Sequence, residues 1–107
     1  MEIFLDTADV TEVRDLVSLG VVDGITTNPS LVAKEGEPFT TIVDQLLQIV
    51  DGPVNLEVVG TDLATILKEA HQLAKHHSNV VVKIPMIADG LKAVHQLAQE
   101  GLRTNVT

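Results

Sequence analysis

Lys83 stands in the run Val80-Val81-Val82-Lys83-Ile84-Pro85, where three valines and an isoleucine are β-branched and continuous. Such a run suits a strand buried on both faces, as in a parallel sheet covered by helices. An unpaired ammonium in that interior is costly, so the lysine must snorkel to water, find an anion or lose its proton. Neutral lysine is a nucleophile towards carbonyl carbon. Pro85 cannot donate to a ladder and ends the strand, which places Lys83 near the C-terminal rim. Polar residues recur at the same place in the other apolar runs: Asp6 after the first, Thr26 and Asn28 after the second, Glu57 in the third, Thr107 in the fifth. An amine that attacks a carbonyl and a carboxylate that moves protons make a covalent, proton-assisted reaction the chemistry to look for.

Each of these residues has a plainer role open to it. Asp6 can cap the first turn of the helix that follows. Glu57 can be solvated on an edge strand or form an ion pair with Lys83. Lys83 can snorkel from an outer layer, and Thr26, Asn28 and Thr107 read singly as turn or strand-end hydrogen bonders. His71, His76, His77 and His95 fall on helical stretches or their ends, away from the strand ends, and none has the spacing of a helical zinc motif. They read as surface residues, as do Asp9, Glu12 and Asp15 on the first helix.

The elements that must position the polar residues alternate along the chain. Residues 2 to 5 form a short apolar strand. Asp9 and Glu12 make a capping box, Val10, Val13, Leu16 and Val17 follow at helical spacing, and Gly20 closes the helix. Val21-Val22 and Gly24-Ile25-Thr26 give a second strand running into a polar loop, Thr27-Asn28-Pro29-Ser30, whose proline holds Asn28 extended. Pro38 opens a helix with Phe39, Ile42, Val43, Leu46, Leu47 and Val50, closed by Asp51-Gly52-Pro53. Val54 to Val59 is a third strand. A helix from Thr61 or Asp62 carries Leu63, Ile66, Leu67, Ala70, Leu73 and Ala74, with Asn79 as its stop. After the Val80 strand, Asp89 starts a helix with Leu91, Val94, Leu97 and Ala98, ended by Gly101. Thr104-Asn105-Val106-Thr107 begins a fifth strand.

Strands alternating with helices predict βαβ units and a parallel sheet, whose strand ends converge on one rim. Either an open doubly wound sheet or part of an eight-stranded barrel of roughly 250 residues satisfies the pattern. Neither a G-x-G-x-x-G after the first strand nor a Walker A sequence is present, which argues against nucleotide binding. In 107 residues, 45% are hydrophobic and 2% aromatic, with no Trp, Tyr or Cys and a net charge of -8. The acidity disfavours nucleic acid and anionic membrane, and the lack of cysteine excludes disulfides and thiolate metal sites. With no signal peptide or membrane-length apolar run, a cytoplasmic protein is expected.

Five blocks together resemble the transaldolase family, in particular its small bacterial and archaeal members. They are Phe4-Leu5-Asp6-Thr7-Ala8, Asp23-Gly24-Ile25-Thr26-Thr27-Asn28-Pro29-Ser30, Leu56-Glu57-Val58, Val82-Lys83-Ile84-Pro85-Met86 and Thr104-Asn105-Val106-Thr107. The resemblance spans the whole chain. It implies a (β/α)8 barrel, of which residues 1–107 form a single partial domain: the N-terminal half, about four βα units and the start of the fifth strand. It also implies a class I Schiff-base enzyme, without metal or organic cofactor, acting as a homo-oligomer. Such enzymes move a dihydroxyacetone unit between sugar phosphates in the pentose phosphate pathway. Their substrates are fructose 6-phosphate, sedoheptulose 7-phosphate, erythrose 4-phosphate and glyceraldehyde 3-phosphate.

Carried over by that resemblance, Lys83 is the imine-forming amine and Asp6 the acid/base of carbon–carbon cleavage. Glu57 with Thr107 holds the water of imine formation and hydrolysis. Asn28 and Asn105 bind the dihydroxyacetone unit, with Thr26 in support. The similar fructose-6-phosphate aldolases tend to carry glutamine at the place of Glu57 and lack the asparagine of Asn105, so the likeness is closer to transaldolase. Ile87 departs from the pattern, standing where relatives commonly have threonine. The phosphate-gripping arginine and serine of the family have no counterpart, since Arg14 and Arg103 are elsewhere. A fragment of low activity is therefore expected. An aldolase-type lyase, an unrelated imine-forming aldolase and a non-enzymatic half-barrel assembly module are the competing readings.

Overall fold

The computed structural model describes residues 1–107. Five short strands and five helices alternate, apart from one helix pair: β1 (Phe4–Asp6), α1 (Val10–Val17), β2 (Gly24–Thr26), α2 (Pro29–Lys34), α3 (Phe39–Ile49), β3 (Val54–Glu57), α4 (Leu63–Ala74), β4 (Val80–Ile84), α5 (Ala88–Gln99) and β5 (Thr104–Val106). The strands follow chain order, β1-β2-β3-β4-β5, in a parallel sheet, the α/β class expected of repeated βα units. No helix is long and apolar enough to cross a membrane. Two compact units make up the chain, Met1–Val54 and Asn55–Thr107, with the division inside β3.

In the first unit, β1 and β2 pair with Phe4 opposite Gly24 and Asp6 opposite Thr26. Backbone bonds extend the pairing at both ends: Asp23 donates to the Ile3 carbonyl at 2.8 Å, and Thr7 to the Thr26 carbonyl at 3.1 Å. Glycine is required at position 24 by close approach. A Cβ there would lie 2.6 Å from both the Phe4 ring and the Pro53 carbonyl. Helix α1 begins at the expected N-cap, with Asp9 accepting from the Glu12 N–H at 3.1 Å, but the reciprocal half of the capping box is replaced by a bond from the Asp9 N–H to Thr7 Oγ1 at 3.1 Å. Gly20 turns the chain beyond the helix end at φ 77°. Val13 of α1 and Ile42, Val43 and Leu46 of α3 are buried, as the helical periodicity requires.

Helix α2 is a difference from the polar loop read at Thr27 to Ser30. Asn28 is its N-cap, extended as expected at φ -147° and ψ 166°, with Oδ1 accepting from the Leu31 N–H at 2.9 Å and Pro29 following at N1. The expected second strand is also shorter: Val21 and Val22 fall outside β2, and Val21 is exposed.

In the second unit, Ile66, Ala70 and Leu73 of α4 and Ala93 and Leu97 of α5 form the buried helical stripes. β4 matches the reading of a strand enclosed on both sides: Val80, Val81, Val82 and Ile84 are all buried. It ends at Ile84, before Pro85. The expected start of α5 at Asp89 is displaced by one residue, with Ile87 as N-cap and no side-chain bond to the cap. Asp89 caps a neighbour instead, accepting from the Leu63 N–H at the start of α4 at 3.1 Å. At the far ends of these helices His71 Nε2 lies 2.6 Å from Glu100 Oε2.

Candidate active site

The polar strand-end residues fall into one cluster in each unit. In the first unit, Asp6 and Thr26 are register partners, and Thr26 Oγ1 donates to Asp6 Oδ1 at 2.9 Å. Asp6 does not cap α1, since Asp9 holds that place. Its carboxylate is instead exposed at the end of β1, with a neighbouring hydroxyl to fix its orientation. Asn28 uses its oxygen to cap α2, which leaves its amide nitrogen as the donating end of that side chain.

The second unit holds the lysine. Lys83 is enclosed by buried Val82 and Ile84 along the strand, and its side chain retains 13% of its exposure. Of the three outcomes open to a lysine in such a run, the structure contains an ion pair. Nζ lies 3.8 Å from Glu57 Oε2, whose side chain is 22% exposed. The backbones of the two strands meet just beyond, where Val58 donates to the Lys83 carbonyl at 3.1 Å. At 3.8 Å the amine and the carboxylate are close enough to stabilise opposite charges, and one water molecule between them would carry a proton.

Asn105 is opposite Lys83 in the β4–β5 register. Partners in a parallel ladder direct their side chains to the same face, so the carboxamide stands beside the amine. Thr107 joins this rim through its backbone: its N–H donates to the Ile84 carbonyl at 2.9 Å and its carbonyl accepts from Met86 at 2.7 Å. Those two bonds hold the chain on either side of Pro85, immediately after the lysine strand.

Asn55 was not singled out from the sequence. It is 4% exposed on β3, and its Oδ1 accepts from Asn105 Nδ2 at 3.1 Å. Its signal was the period of two, since Asn55 and Glu57 interrupt the same face of an otherwise apolar strand. Elsewhere, Arg103 donates to the Ser78 carbonyl at 3.0 Å. No three His, Cys, Asp or Glu side chains are grouped to hold a metal ion.

A parallel α/β sheet with a lysine, a carboxylate and a carboxamide on neighbouring strands defines a protein class suited to carbonyl chemistry at strand ends. The family model described as Transaldolase/Fructose-6-phosphate aldolase matches residues 3–107, and the chain belongs to that family. It is 55% identical over all 107 residues to a probable transaldolase of Thermoanaerobacter sp. (strain X514), covering 50% of that protein. It is 54% identical to a probable transaldolase of Desulforudis audaxviator and to a probable transaldolase 2 of Listeria monocytogenes, covering 50% and 49% of those proteins respectively. The chain thus spans about half the length of the curated relatives it matches.

Proposed function

We propose that this chain carries the Schiff-base part of a transaldolase active site. The reaction begins when Lys83 Nζ, in its neutral form, adds to the carbonyl carbon of a ketose phosphate such as fructose 6-phosphate or sedoheptulose 7-phosphate. The carbinolamine then loses water to give an iminium ion. That ion accepts the electron pair of the breaking carbon–carbon bond, while Asp6 takes the proton from the hydroxyl of the departing aldose phosphate. The dihydroxyacetone unit stays on Lys83 as an enamine. It adds to an acceptor aldehyde, erythrose 4-phosphate or glyceraldehyde 3-phosphate, as Asp6 returns the proton. Water finally hydrolyses the imine and restores the amine.

In this scheme Glu57, with Thr107, holds the water lost and regained at the imine. Asn28 and Asn105 bind the hydroxyls of the dihydroxyacetone unit, and Thr26 orients Asp6. The observation that carries the reading is the largely enclosed Lys83 amine 3.8 Å from the Glu57 carboxylate. A glutamate and an asparagine at positions 57 and 105 favour transfer over simple aldol cleavage, following the family resemblance. The test is borohydride reduction in the presence of fructose 6-phosphate, followed by intact mass and peptide mapping. One adduct per chain on Lys83, absent from Lys83→Met, is the expected result; a wild-type chain that gains no mass overturns the proposal.

A further inference from the structure

Asn55 has no part in the scheme above, yet its setting is unusual for its type. It lies between Val54 and Leu56, both fully buried, and apart from Thr27 it is the buried polar side chain of the molecule. A primary amide in such surroundings is unfavourable unless hydrogen-bonded, and leucine would fill a similar shape without that cost. One bond it makes is with Asn105. Alternation puts Asn55 on the face of β3 that also carries Glu57, Glu57 reaches Lys83, and Lys83 is level with Asn105. These four side chains therefore make one continuous polar patch on three adjacent strands.

We propose that Asn55 is a positioning residue that sets the orientation of the Asn105 carboxamide towards a ligand held on Lys83. The inference rests on the reading of Lys83 and Asn105 given above. A carboxamide offers one acceptor oxygen and two N–H donors. With one Asn105 N–H bound to Asn55 Oδ1, rotation of the amide is restrained, and its oxygen and second N–H are left for a ligand. Such a pair of groups matches sugar hydroxyls, which both donate and accept. Asn105 is exposed on a three-residue strand and would otherwise sample several rotamers. Holding it in place before the ligand arrives removes an ordering cost from binding.

The proposal is tested first on the side chain itself, by nuclear magnetic resonance of the isotope-labelled 107-residue chain. Asn105 should occupy a single χ1 rotamer with one slowly exchanging amide proton. Asn55→Leu should average the rotamer and speed that exchange about fivefold to tenfold, the scale of one lost hydrogen bond. Asn55→Asp keeps an acceptor in the same place and should retain the order. If Asn55→Leu does not fold, Asn55→Ser, which withdraws the acceptor, is read in the same way. An Asn105 side chain as ordered without the acceptor as with it overturns the proposal.

The second readout is borohydride trapping at varied dihydroxyacetone concentration. Asn55→Leu should raise the half-saturating concentration several-fold while leaving the limiting rate and its pH profile in place. Combined with Asn105→Ala it should add nothing to the effect of Asn105→Ala alone, because both act through one group. Additive losses would contradict the positioning role. A wild-type chain that traps no ligand counts against the Lys83 reading, and the rotamer comparison then decides the role of Asn55 without it.

Discussion

Lys83 and Asn105 face each other across β4 and β5 as register partners. The ladder between two strands therefore fixes the spacing of the backbone positions from which amine and carboxamide extend, and no flexible loop intervenes. Glu57 reaches the same amine from β3 at 3.8 Å. Groups held by sheet backbone keep their geometry better than groups held on loops, which suits an amine that must meet a carbonyl along a defined line of attack. Lys83→Met should abolish the borohydride adduct while leaving the circular dichroism spectrum intact. Glu57→Gln should slow adduct formation about 100-fold, the lower range for loss of a positioned proton-transfer group. Stopped-time trapping with intact mass measures both.

The Asp6–Thr26 pair leads to a different expectation. Asp6→Asn keeps an oxygen to accept from Thr26 Oγ1, so the urea midpoint should move by less than about 0.5 kcal/mol equivalent. It removes the proton acceptor that cleavage needs. With fructose 6-phosphate and borohydride, wild type should carry a three-carbon adduct, and Asp6→Asn should carry the uncleaved six-carbon sugar phosphate. Intact mass distinguishes the two, and a three-carbon adduct on the variant would remove Asp6 from the cleavage step.

The strand and helix series was legible because each element announces itself locally. The Val80–Val82 run, the Asp9 and Asp62 caps and the terminal glycines at 20 and 101 are all signals within a few residues of the structure they produce. Helix α2 was missed although its two strongest signals, an asparagine N-cap and a proline at N1, were in view, because six residues give too little periodicity to weigh. Asp89 reads from the sequence as the start of its own helix, yet its carboxylate accepts from the Leu63 N–H at the start of α4, a tertiary choice that sequence spacing does not encode. Lys83 and Glu57 were legible as polar interruptions of apolar strands. Which of them would touch depended on register, and for that reason Asn55 escaped notice: its partner Asn105 is fifty positions away.

Gly90 supports the lysine strand from behind. It is buried in the first turn of α5, and a Cβ there would lie 2.0 Å from the Pro85 carbonyl oxygen and 3.3 Å from Ile84 Cγ2. The closer neighbour is backbone, so relief requires α5 or the segment after β4 to move. Gly90→Ala should destabilise by about 1–3 kcal/mol, as for other overpacked sites. Urea denaturation measures the loss, and the displaced strand end should also slow adduct formation at Lys83.

Asp62 gives the fold a pH dependence with a definite sign. As N-cap of α4 it accepts from the Thr65 N–H at 3.0 Å and the Thr65 hydroxyl at 2.9 Å. The backbone bond and then the hydroxyl bond favour the ionised carboxyl and hold it below the usual aspartate value. A group whose folded value is lowered binds its proton more readily in the unfolded chain. Its contribution is therefore fully present above about pH 4, the unfolded value, and is lost as pH falls through the lower folded value. Asp62→Ala should lower the melting temperature at pH 7, and the gap between variant and wild type should narrow progressively below pH 4. A gap that stayed constant to pH 2 would exclude the ionised cap as its source.

Ile87 leaves an N-cap unfilled. Its backbone already has the extended conformation of a capping residue, at φ -132° and ψ 165°, but an aliphatic side chain cannot accept from the first-turn N–H groups of α5. The side chain is also partly exposed, at 38%, so shortening it forfeits little burial. Threonine keeps the β-branch and adds the missing oxygen. Ile87→Thr should therefore stabilise the chain by about 1 kcal/mol, the usual worth of a side-chain cap, against a transfer loss of a few tenths. An increase in the urea midpoint without a change in the slope of unfolding is the expected result. Ile87→Val serves as the control: it has nearly the same shape as threonine and no hydroxyl, so a gain shared by both variants would trace to the smaller side chain and not to the cap.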